Sequence, residues 1–247
     1  AIKLEILRSL MMGTEVIVID PEYEYKHLAE AVGGTYINIS LASQGKINPF
    51  DLPKAVGDQT RIEDIIRSAV ITLKGLVRLM IGSLTYEEDS IVDRALLETY
   101  ARKDITPDAD LATVEPPIMQ DFQEILDGME GGSDLATRLK KYTEGTFAGL
   151  FNSPTNVQME NQLACFSVRD LEDELRPMAI YTVVNYIWNE VRSQVRKRVL
   201  VIDLDPQTNA TIMLLGEDKW LDLNNQGHTL AQLFKDAMTP DVKKFDL

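Results

Sequence analysis

The chain has 247 residues, enough for one large domain or a core domain with an insert, and its 45% hydrophobic and 26% charged residues are typical of folded globular proteins. A formal net charge of -14 argues against direct binding to a nucleic-acid backbone, which depends on clustered Lys and Arg. The single cysteine, Cys165, excludes an internal disulfide, and His27 and His228 lack companion ligands for a metal held by His or Cys.

The sequence predicts a cytoplasmic protein. No run approaches the roughly 18 apolar residues that span a bilayer, and the amino terminus has no basic region followed by an apolar signal core. The chain begins at Ala1, inside a predicted helix, so we expect it to be trimmed or to be a piece of a longer protein.

Helix and strand patterns alternate along the first 56 residues. A stripe of apolar residues at helical spacing predicts a first helix that ends at Gly13; its members are Ile2, Ile6, Leu7, Leu10 and Met11. The apolar run from Val16 to Ile19 predicts a strand buried on both faces, as in parallel sheets flanked by helices. A helix over EYEYKHLAEAVGG, closed by Gly33 and Gly34, and a strand over TYINIS follow. This alternation indicates a doubly wound α/β domain.

Residues 57 to 146 are predicted to form an all-helical insert, because apolar residues there recur every three or four positions. The first helix is predicted to end at Gly82, and the second runs from a capping box of Thr85 and Glu88 to about Lys103. Pro117 begins the third, and Ser133 caps the fourth.

The α/β pattern resumes over residues 147 to 202. We expect a short strand over 163 to 168, a helix from Arg176 to Val195, and a buried strand over RVLVID. The inward face of that helix is predicted to carry Val183, Val184, Ile187, Trp188 and Val191. Its basic end, RSQVRKR, fits the negative end of a helix dipole. Residues 203 to 247 form a separate carboxyl-terminal segment, with an amphipathic helix over 227 to 238.

Two predicted strands end in carboxylates. VIVIDPE places Asp20 and Glu22 at one strand end, and VLVIDLDPQ places Asp203 and Asp205 at the other. Ligands of open parallel sheets bind beyond the carboxyl ends of the strands, where one carboxylate can hold magnesium and a second can orient the water that attacks a γ-phosphate. Asp is also a common turn residue before Pro, so a purely structural role stays open for each.

The loop that should hold the phosphates is missing. No GxxxxGKS or GxxxxGKT motif occurs; the one Gly-Lys pair, Gly45 and Lys46, is followed by Ile47. The first helix is what would directly follow such a loop, so we expect the loop to lie just upstream of Ala1.

Residues 1 to about 202 resemble the C-terminal ATPase domain of the type IV secretion and conjugation ATPases, the TraC/TrbE class. The matching pieces are IVIDPEYEYKHLAEAVGGTYINIS with INPFDL, LTYEEDSIVDRALLETY, GTFAGLFNSPTNV, and FSVRDLEDELRPMAIYTVVNYIWNEV. The resemblance implies a RecA-like P-loop NTPase core, a mostly parallel sheet flanked by helices, with an all-helical insert. It also implies ATP and magnesium as cofactors, a hexamer at the inner face of the membrane, and secretion-channel and coupling components as partners.

The resemblance changes at the last strand. The family has an Asp-Glu pair there, whereas this chain has Asp203 followed by Leu204. From about residue 198 onward the sequence instead resembles the segment after the P-loop helix of ParA-type partition ATPases, so the chain looks chimeric. That resemblance makes Asp203 a magnesium ligand and Asp205 the residue that positions water. Asp20 is then a second cofactor-binding candidate and Glu22 a second catalytic one. The last strands of the secretion ATPase sheet are replaced, so we expect a short sheet whose far edge is exposed or is covered by the 227 to 238 helix.

The sequence therefore predicts a fragment of an ATPase motor domain with little or no hydrolysis of its own. A non-enzymatic assembly module and a ParA-like partition ATPase are the alternatives. Tyr23, Tyr25 and Arg169 lie near the predicted site in sequence, yet packing or a surface ion pair explains each of them equally well.

Overall fold

A parallel sheet lies at the centre of this computed structural model, which describes residues 2–53, 61–111, 113–193 and 196–202. Its strands are β1 (Glu15–Asp20), β2 (Thr35–Asn38), β3 (Leu163–Ser167) and β4 (Arg198–Ile202), in the order β2-β3-β1-β4. Strand β1 pairs in parallel with two neighbours: Val16 lies opposite Leu163 and Val199. All described residues belong to one compact unit, Ala1–Asp203.

Some of the helices flank this sheet, and the others form a separate group in the chain between β2 and β3. Helix α1 spans Ile2–Met11, α2 Lys26–Ala31, α3 Ile62–Ile81, α4 Tyr86–Arg102, α5 Met119–Gly128, α6 Ser133–Thr143, α7 Ala148–Phe151 and α8 Arg176–Ser193. The chain runs from β1 through α2 to β2 in one direction along the sheet, and from β3 through α8 to β4 in the other. Because such crossovers are right-handed, α2 and α8 lie on opposite faces.

Strand β1 is buried on both faces, as its apolar run predicts. Val16, Ile17, Val18 and Ile19 are each at most 4% exposed. Side chains alternate along a strand, so one face of β1 packs with α1, α2 and β3 in a cluster of Ile6, Val16, Val18, Tyr25, Ala29, Leu163 and Cys165. On the α8 side, the rings of Phe166 and Tyr186 meet at 6.0 Å between centroids. The doubly wound α/β prediction is confirmed.

Helices α3 to α6 form the helical group, and ion pairs join their polar faces. Lys74 of α3 contacts Asp89 at 2.8 Å and Asp93 at 3.0 Å on α4, and Arg138 of α6 contacts Glu88. The capping box predicted at Thr85 is present, with the Thr85 backbone N–H donating to Glu88 at 2.7 Å and the Glu88 N–H donating back at 3.2 Å. The predicted stop at Gly82 is also confirmed, since its φ of 87° lies outside the helical region.

Helices α3 and α8 cross at a glycine. A Cβ on Gly75 would lie 2.4 Å from the Tyr181 hydroxyl, so a side chain at this position would displace the ring. The hydroxyl donates to the Thr72 carbonyl at 2.9 Å, which fixes the ring over the glycine. The crossing therefore ties the helical group to the helix that precedes β4.

Several sequence predictions about individual residues were wrong. Trp188 was placed on the inward face of α8, but it is 52% exposed and lies beneath the Arg192 guanidinium, because Val183, Tyr186 and Ile187 fill the buried face. Ser133 is the first residue of α6 instead of its cap, and its hydroxyl binds Asp127 at 3.2 Å. Strand β4 is only partly covered: Val199 is 41% exposed.

Helix ends also differ from the predictions. The helix predicted over residues 22 to 34 begins only at Lys26, because the backbone N–H groups before it bind the Asp20 side chain. The third helix of the central group begins at Met119, two residues after Pro117. On α1, Ile2 and Met11 are exposed, so the predicted stripe is buried mainly at Ile6.

The predicted boundaries 1–56, 57–146, 147–202 and 203–247 remain predictions. The helix predicted over 227 to 238 lies outside the described residues. Within the described ranges, no helix has both the length and the apolar character needed to cross a membrane.

Glu15 links the start of β1 to the start of β4. Its two carboxylate oxygens accept hydrogen bonds from Arg196 at 2.5 Å and from Arg198 at 2.7 Å. Partial burial acts to raise the pKa of Glu15, but the two arginines outweigh it and lower the pKa below its ordinary value of 4.5. These arginines belong to the basic run that the sequence assigned to a helix end. Part of that run therefore binds the start of β1 instead.

Gly34→Ala is expected to lower the free energy of unfolding by about 1–3 kcal/mol, because the added Cβ would overpack against a strand backbone. It would lie 2.8 Å from the Leu163 carbonyl oxygen, and β3 is held in place by β1 and β2. Gly128→Ala is the matched control, since its Cβ would have no neighbour within 4 Å. Denaturant unfolding of both variants checks this, and equal stabilities would contradict it.

Glu15→Gln is expected to lower the free energy of unfolding at pH 7 by about 1–2 kcal/mol, since charge-assisted hydrogen bonds to both arginines are lost. Because the folded pKa of Glu15 is depressed, this contribution is complete above pH 4.5 and disappears as the pH falls through the lower folded value. The difference from wild type should therefore shrink in acid.

Glu63→Gln is the control for this measurement, because its pair with Arg67 lies on an exposed helix surface and should contribute only about 0.5 kcal/mol. A Glu15→Gln difference that stays constant from pH 7 into acid would show that the ion pair is not its cause.

Candidate functional site at the carboxyl edge of the sheet

The carboxyl ends of β1, β2 and β3 bring polar residues into one row. Asp20 lies opposite Ser167, and Ser167 lies opposite Asn38, so these three residues point to the same face of the sheet. The connections that follow β1 and β3 leave toward opposite faces, which opens a crevice between the two strand ends. Open α/β sheets bind their ligands at such a switch point.

Asp20 is fully buried at the end of β1 and organises the loop that follows. Its Oδ1 accepts the backbone N–H of Glu24 at 2.9 Å, and its Oδ2 accepts the N–H of Tyr25 at 3.0 Å. The Tyr36 hydroxyl donates to the same Oδ2 at 3.2 Å. Three donors therefore surround this carboxylate, which is the arrangement expected of a residue that holds a turn together.

Burial affects the groups around Asp20 as well. It raises the pKa of the Tyr36 phenol well above its ordinary value, and the negative charge of Asp20 raises it further. The same two causes raise the pKa of the Cys165 thiol to about 12. Both groups therefore stay neutral at physiological pH, and neither is an activated nucleophile.

Glu22 and Tyr23 lie in the exposed part of the loop. The Glu22 carbonyl accepts a hydrogen bond from the Arg169 guanidinium at 3.2 Å, which joins the loop after β1 to the residue that follows β3. Tyr23 has a φ of 65°, which is unusual for a residue other than glycine, and its ring meets Tyr36 edge-on at 5.6 Å. Tyr25, by contrast, is buried in the core at 2% exposure.

The structure brings two of the four predicted carboxylates to this edge. Asp20 is the last residue of β1, and Glu22 lies in the loop that follows it. Asp203 and Asp205 lie outside the described residues. Strand β4 runs beside β1 as far as Ile202, which lies opposite Ile19. Among the described residues, no three His, Cys, Asp or Glu side chains are grouped so that they could hold a metal ion.

Two residues at this edge were not predicted. Asn38 donates to Asp170 at 2.8 Å, and the other polar atom of its side chain, Oδ1, is buried without a hydrogen-bond partner in the described structure. Lys26 donates to the Tyr23 hydroxyl at 2.7 Å. The predicted strand TYINIS runs on to Ser40, so the sequence did not place Asn38 at the strand end where β2 stops. The Lys26 contact depends on the unusual backbone of Tyr23.

Comparison with solved structures finds a match that extends over most of the chain. The structure of VirB4 of Thermoanaerobacter pseudethanolicus matches with a TM-score of 0.73 and 29% sequence identity, over 90% of this chain and 88% of that one. The bacterial conjugative coupling protein TrwB matches with a TM-score of 0.32 and 11% identity, over 76% of this chain and 54% of that one, which is too distant to add to the assignment. No protein-family model and no curated protein matches the chain.

The parallel sheet flanked by helices is therefore an α/β fold of the RecA-like P-loop NTPase type. More narrowly, the chain resembles the type IV secretion ATPases. The resemblance of residues 198 to 247 to ParA-type ATPases stays a prediction, because nearly all of this segment lies outside the described residues.

Asp20→Asn is expected to lower the free energy of unfolding by about 2–3 kcal/mol, since an amide cannot accept at both positions and would leave a buried donor unpaired. Tyr36→Phe, which removes only the 3.2 Å hydrogen bond, should cost about 1 kcal/mol. Denaturant unfolding of both variants measures these losses. Unchanged stability in Asp20→Asn, together with weaker magnesium binding, would instead make Asp20 a metal ligand.

Proposed function

We propose that the chain is part of an ATP-driven motor of a type IV secretion or conjugation machine. The single observation that supports this most is the match to VirB4, which extends over 90% of the chain and includes the sheet and its helical group. The ordered sequence blocks on both sides of that group support the same function independently, because a chance likeness would not keep several motifs in order.

We further propose that this chain alone hydrolyses ATP weakly or not at all. The triphosphate of a P-loop NTPase is held by backbone N–H groups and a lysine in GxxxxGKS or GxxxxGKT, and the 247 residues contain neither motif. The described carboxyl edge does not replace this cradle, since its buried carboxylate, Asp20, already accepts three hydrogen bonds from the protein. The described residues therefore do not supply the backbone cradle by which a P-loop holds a triphosphate.

Within this proposal the acidic residues have different roles. Asp203 is the candidate magnesium ligand and Asp205 the candidate for positioning water, because both follow the strand that lies directly beside β1. Asp20 contributes indirectly, by holding the loop that carries Glu22. Phosphoryl transfer depends mostly on positioning and charge stabilisation, so carboxylates without a phosphate cradle would supply only the smaller part.

The proposed partners follow from the same class of protein. A motor of this type is expected to self-associate as a hexamer, to contact secretion-channel and coupling components, and to lie at the inner face of the membrane through those partners. Direct binding of nucleic acid is not part of the proposal, since the net charge of -14 opposes it.

A non-enzymatic assembly module is the second candidate function. The observation that favours it is strand β4, whose only partner in the described sheet is β1 and whose Val199 and Leu200 are 41% and 44% exposed. Unpaired strand edges promote association between chains. A ParA-like partition ATPase is a weaker alternative, because it rests on about 50 residues at the carboxyl terminus.

Calorimetric titration of the whole chain with Mg-ATP is the direct test of the proposed loss of hydrolysis. We expect a dissociation constant weaker than about 1 mM, because the phosphate cradle is missing. Asp203→Asn and Asp205→Asn should then change neither binding nor turnover, and Asp108→Asn, at an exposed position of the helical group, is the charge-matched control.

Tight binding that is abolished by Asp203→Asn and retained by Asp108→Asn would overturn this proposal, since it would show a nucleotide site without a recognisable P-loop. Light scattering of the same samples separates the motor from the assembly module. Association of the chain without nucleotide favours the assembly module, and a chain that stays monomeric with and without Mg-ATP favours the motor fragment.

A further inference from the structure

Tyr23 has a strained backbone in the loop that follows β1. Its φ of 65° lies in the left-handed region, where the side chain of a bulky residue crowds its own backbone. Its ring is nevertheless 37% exposed, so burial of the ring is not what compensates the strain. Strained residues persist where their surroundings impose the conformation, and they occur preferentially at binding sites.

The surroundings of Tyr23 impose this conformation from both sides. On the carboxyl-terminal side, the Asp20 carboxylate holds the backbone N–H groups of Glu24 and Tyr25. On the amino-terminal side, Arg169 holds the Glu22 carbonyl at 3.2 Å. The loop therefore holds the phenol at the carboxyl edge of the sheet, between Tyr36 of β2 and Arg169 after β3, and open α/β sheets bind ligands at this edge.

Two cations converge on the same ring. The ammonium of Lys26 lies 5.2 Å from the ring centroid of Tyr23, and the guanidinium carbon of Arg169 lies 5.8 Å from it. Within the described residues, neither Lys26 nor Arg169 forms an ion pair with a carboxylate, although many of the other Lys and Arg side chains do. The hydrogen bond to the Tyr23 hydroxyl raises the pKa of Lys26, so the ammonium keeps its charge.

The groups in this cluster have hydrogen atoms left to donate. The Tyr23 hydroxyl accepts from Lys26, which leaves its own O–H for an external acceptor. Arg169 uses one of its five side-chain N–H groups on the Glu22 carbonyl, and Lys26 uses one of three on the phenol. Two of the nearby acids have their own contacts: Glu24 lies 3.9 Å from Lys3, and Glu30 lies 3.5 Å from His27.

We propose that Tyr23, Lys26 and Arg169 form a binding site for a phosphate-bearing anion at the crevice between β1 and β3. Two cations and a phenol, all able to donate, match the oxygen acceptors and the negative charge of a phosphate group. The ligand is inorganic phosphate or the terminal phosphate of a nucleotide, which share this chemistry. The site does not depend on ATP hydrolysis, so it goes beyond the proposed motor function.

The test is titration of the whole chain with inorganic phosphate, at constant ionic strength set with chloride. Binding is followed by calorimetry and by broadening of the phosphorus NMR line. Saturable binding is expected, with affinity reduced about tenfold in Arg169→Gln or Lys26→Gln and further in the double variant. Tyr23→Phe, which keeps the ring and removes the donor, should weaken binding by a smaller factor.

The matched control is the double variant Arg94→Gln with Lys140→Gln, which removes the same charge from exposed positions on α4 and α6. It should bind phosphate as the wild type does. Binding that is absent from the wild type, kept by the Arg169→Gln and Lys26→Gln double variant, or lost equally in the control would each overturn the proposal. Circular dichroism and thermal unfolding of every variant confirm that the comparison is made between folded chains.

Parallel titrations with AMP, ADP and ATP, without magnesium, separate the two sources. Equal affinity for phosphate and the three nucleotides indicates a site for the phosphate group alone, and affinity that rises from AMP to ATP indicates a nucleotide terminus. Phosphate binding that is retained in Asp203→Asn and lost in the Arg169→Gln and Lys26→Gln double variant would distinguish this site from the proposed motor site.

Discussion

The burial of β1 is the constraint on which the rest of the structure depends. A strand with four consecutive side chains at most 4% exposed must be covered on both faces and paired along both edges. Helices α1 and α2 cover one face, α8 lies on the other, and β3 and β4 occupy the edges. This requirement sends the connections after β1 and β3 to opposite sides, and so it creates the crevice at the carboxyl edge.

The same strand ends in Asp20, whose hydrogen bonds shape the loop at the candidate site. A carboxylate buried at the end of β1 must find donors, and the chain supplies them from the next turn and from β2. Satisfying Asp20 therefore determines the path of residues 21 to 25, including the strained Tyr23. Structural and functional explanations of this acidic residue are not exclusive, since the hydrogen bonds that stabilise the turn also decide which side chains face the crevice.

The elements that could be predicted from sequence are those whose local signals agree with their tertiary surroundings. The apolar run of β1, the capping box at Thr85 and the stop at Gly82 each have a local physical cause, and each is present. Predictions failed where neighbouring residues determine the structure. Helical spacing placed Trp188 inward, but other side chains fill the buried face of α8. Ser133 was predicted as the cap of α6, but the helix already begins at Ser133. At the site, the strand-end position of Asp20 was predictable. Its three partners were not, because one of them comes from β2 and the others require a turn that the sequence suggested was helix.

The crossing of α3 and α8 has a mechanical consequence. Tyr181 lies over Gly75 with its hydroxyl bound to the Thr72 carbonyl, so α3 cannot slide along its axis without breaking that bond or taking α8 with it. Helix α8 is followed in the chain by β4, the strand that leads to Asp203. A displacement of the helical group would thus be passed to α8 at this crossing, and from α8 along the chain to an edge of the described sheet.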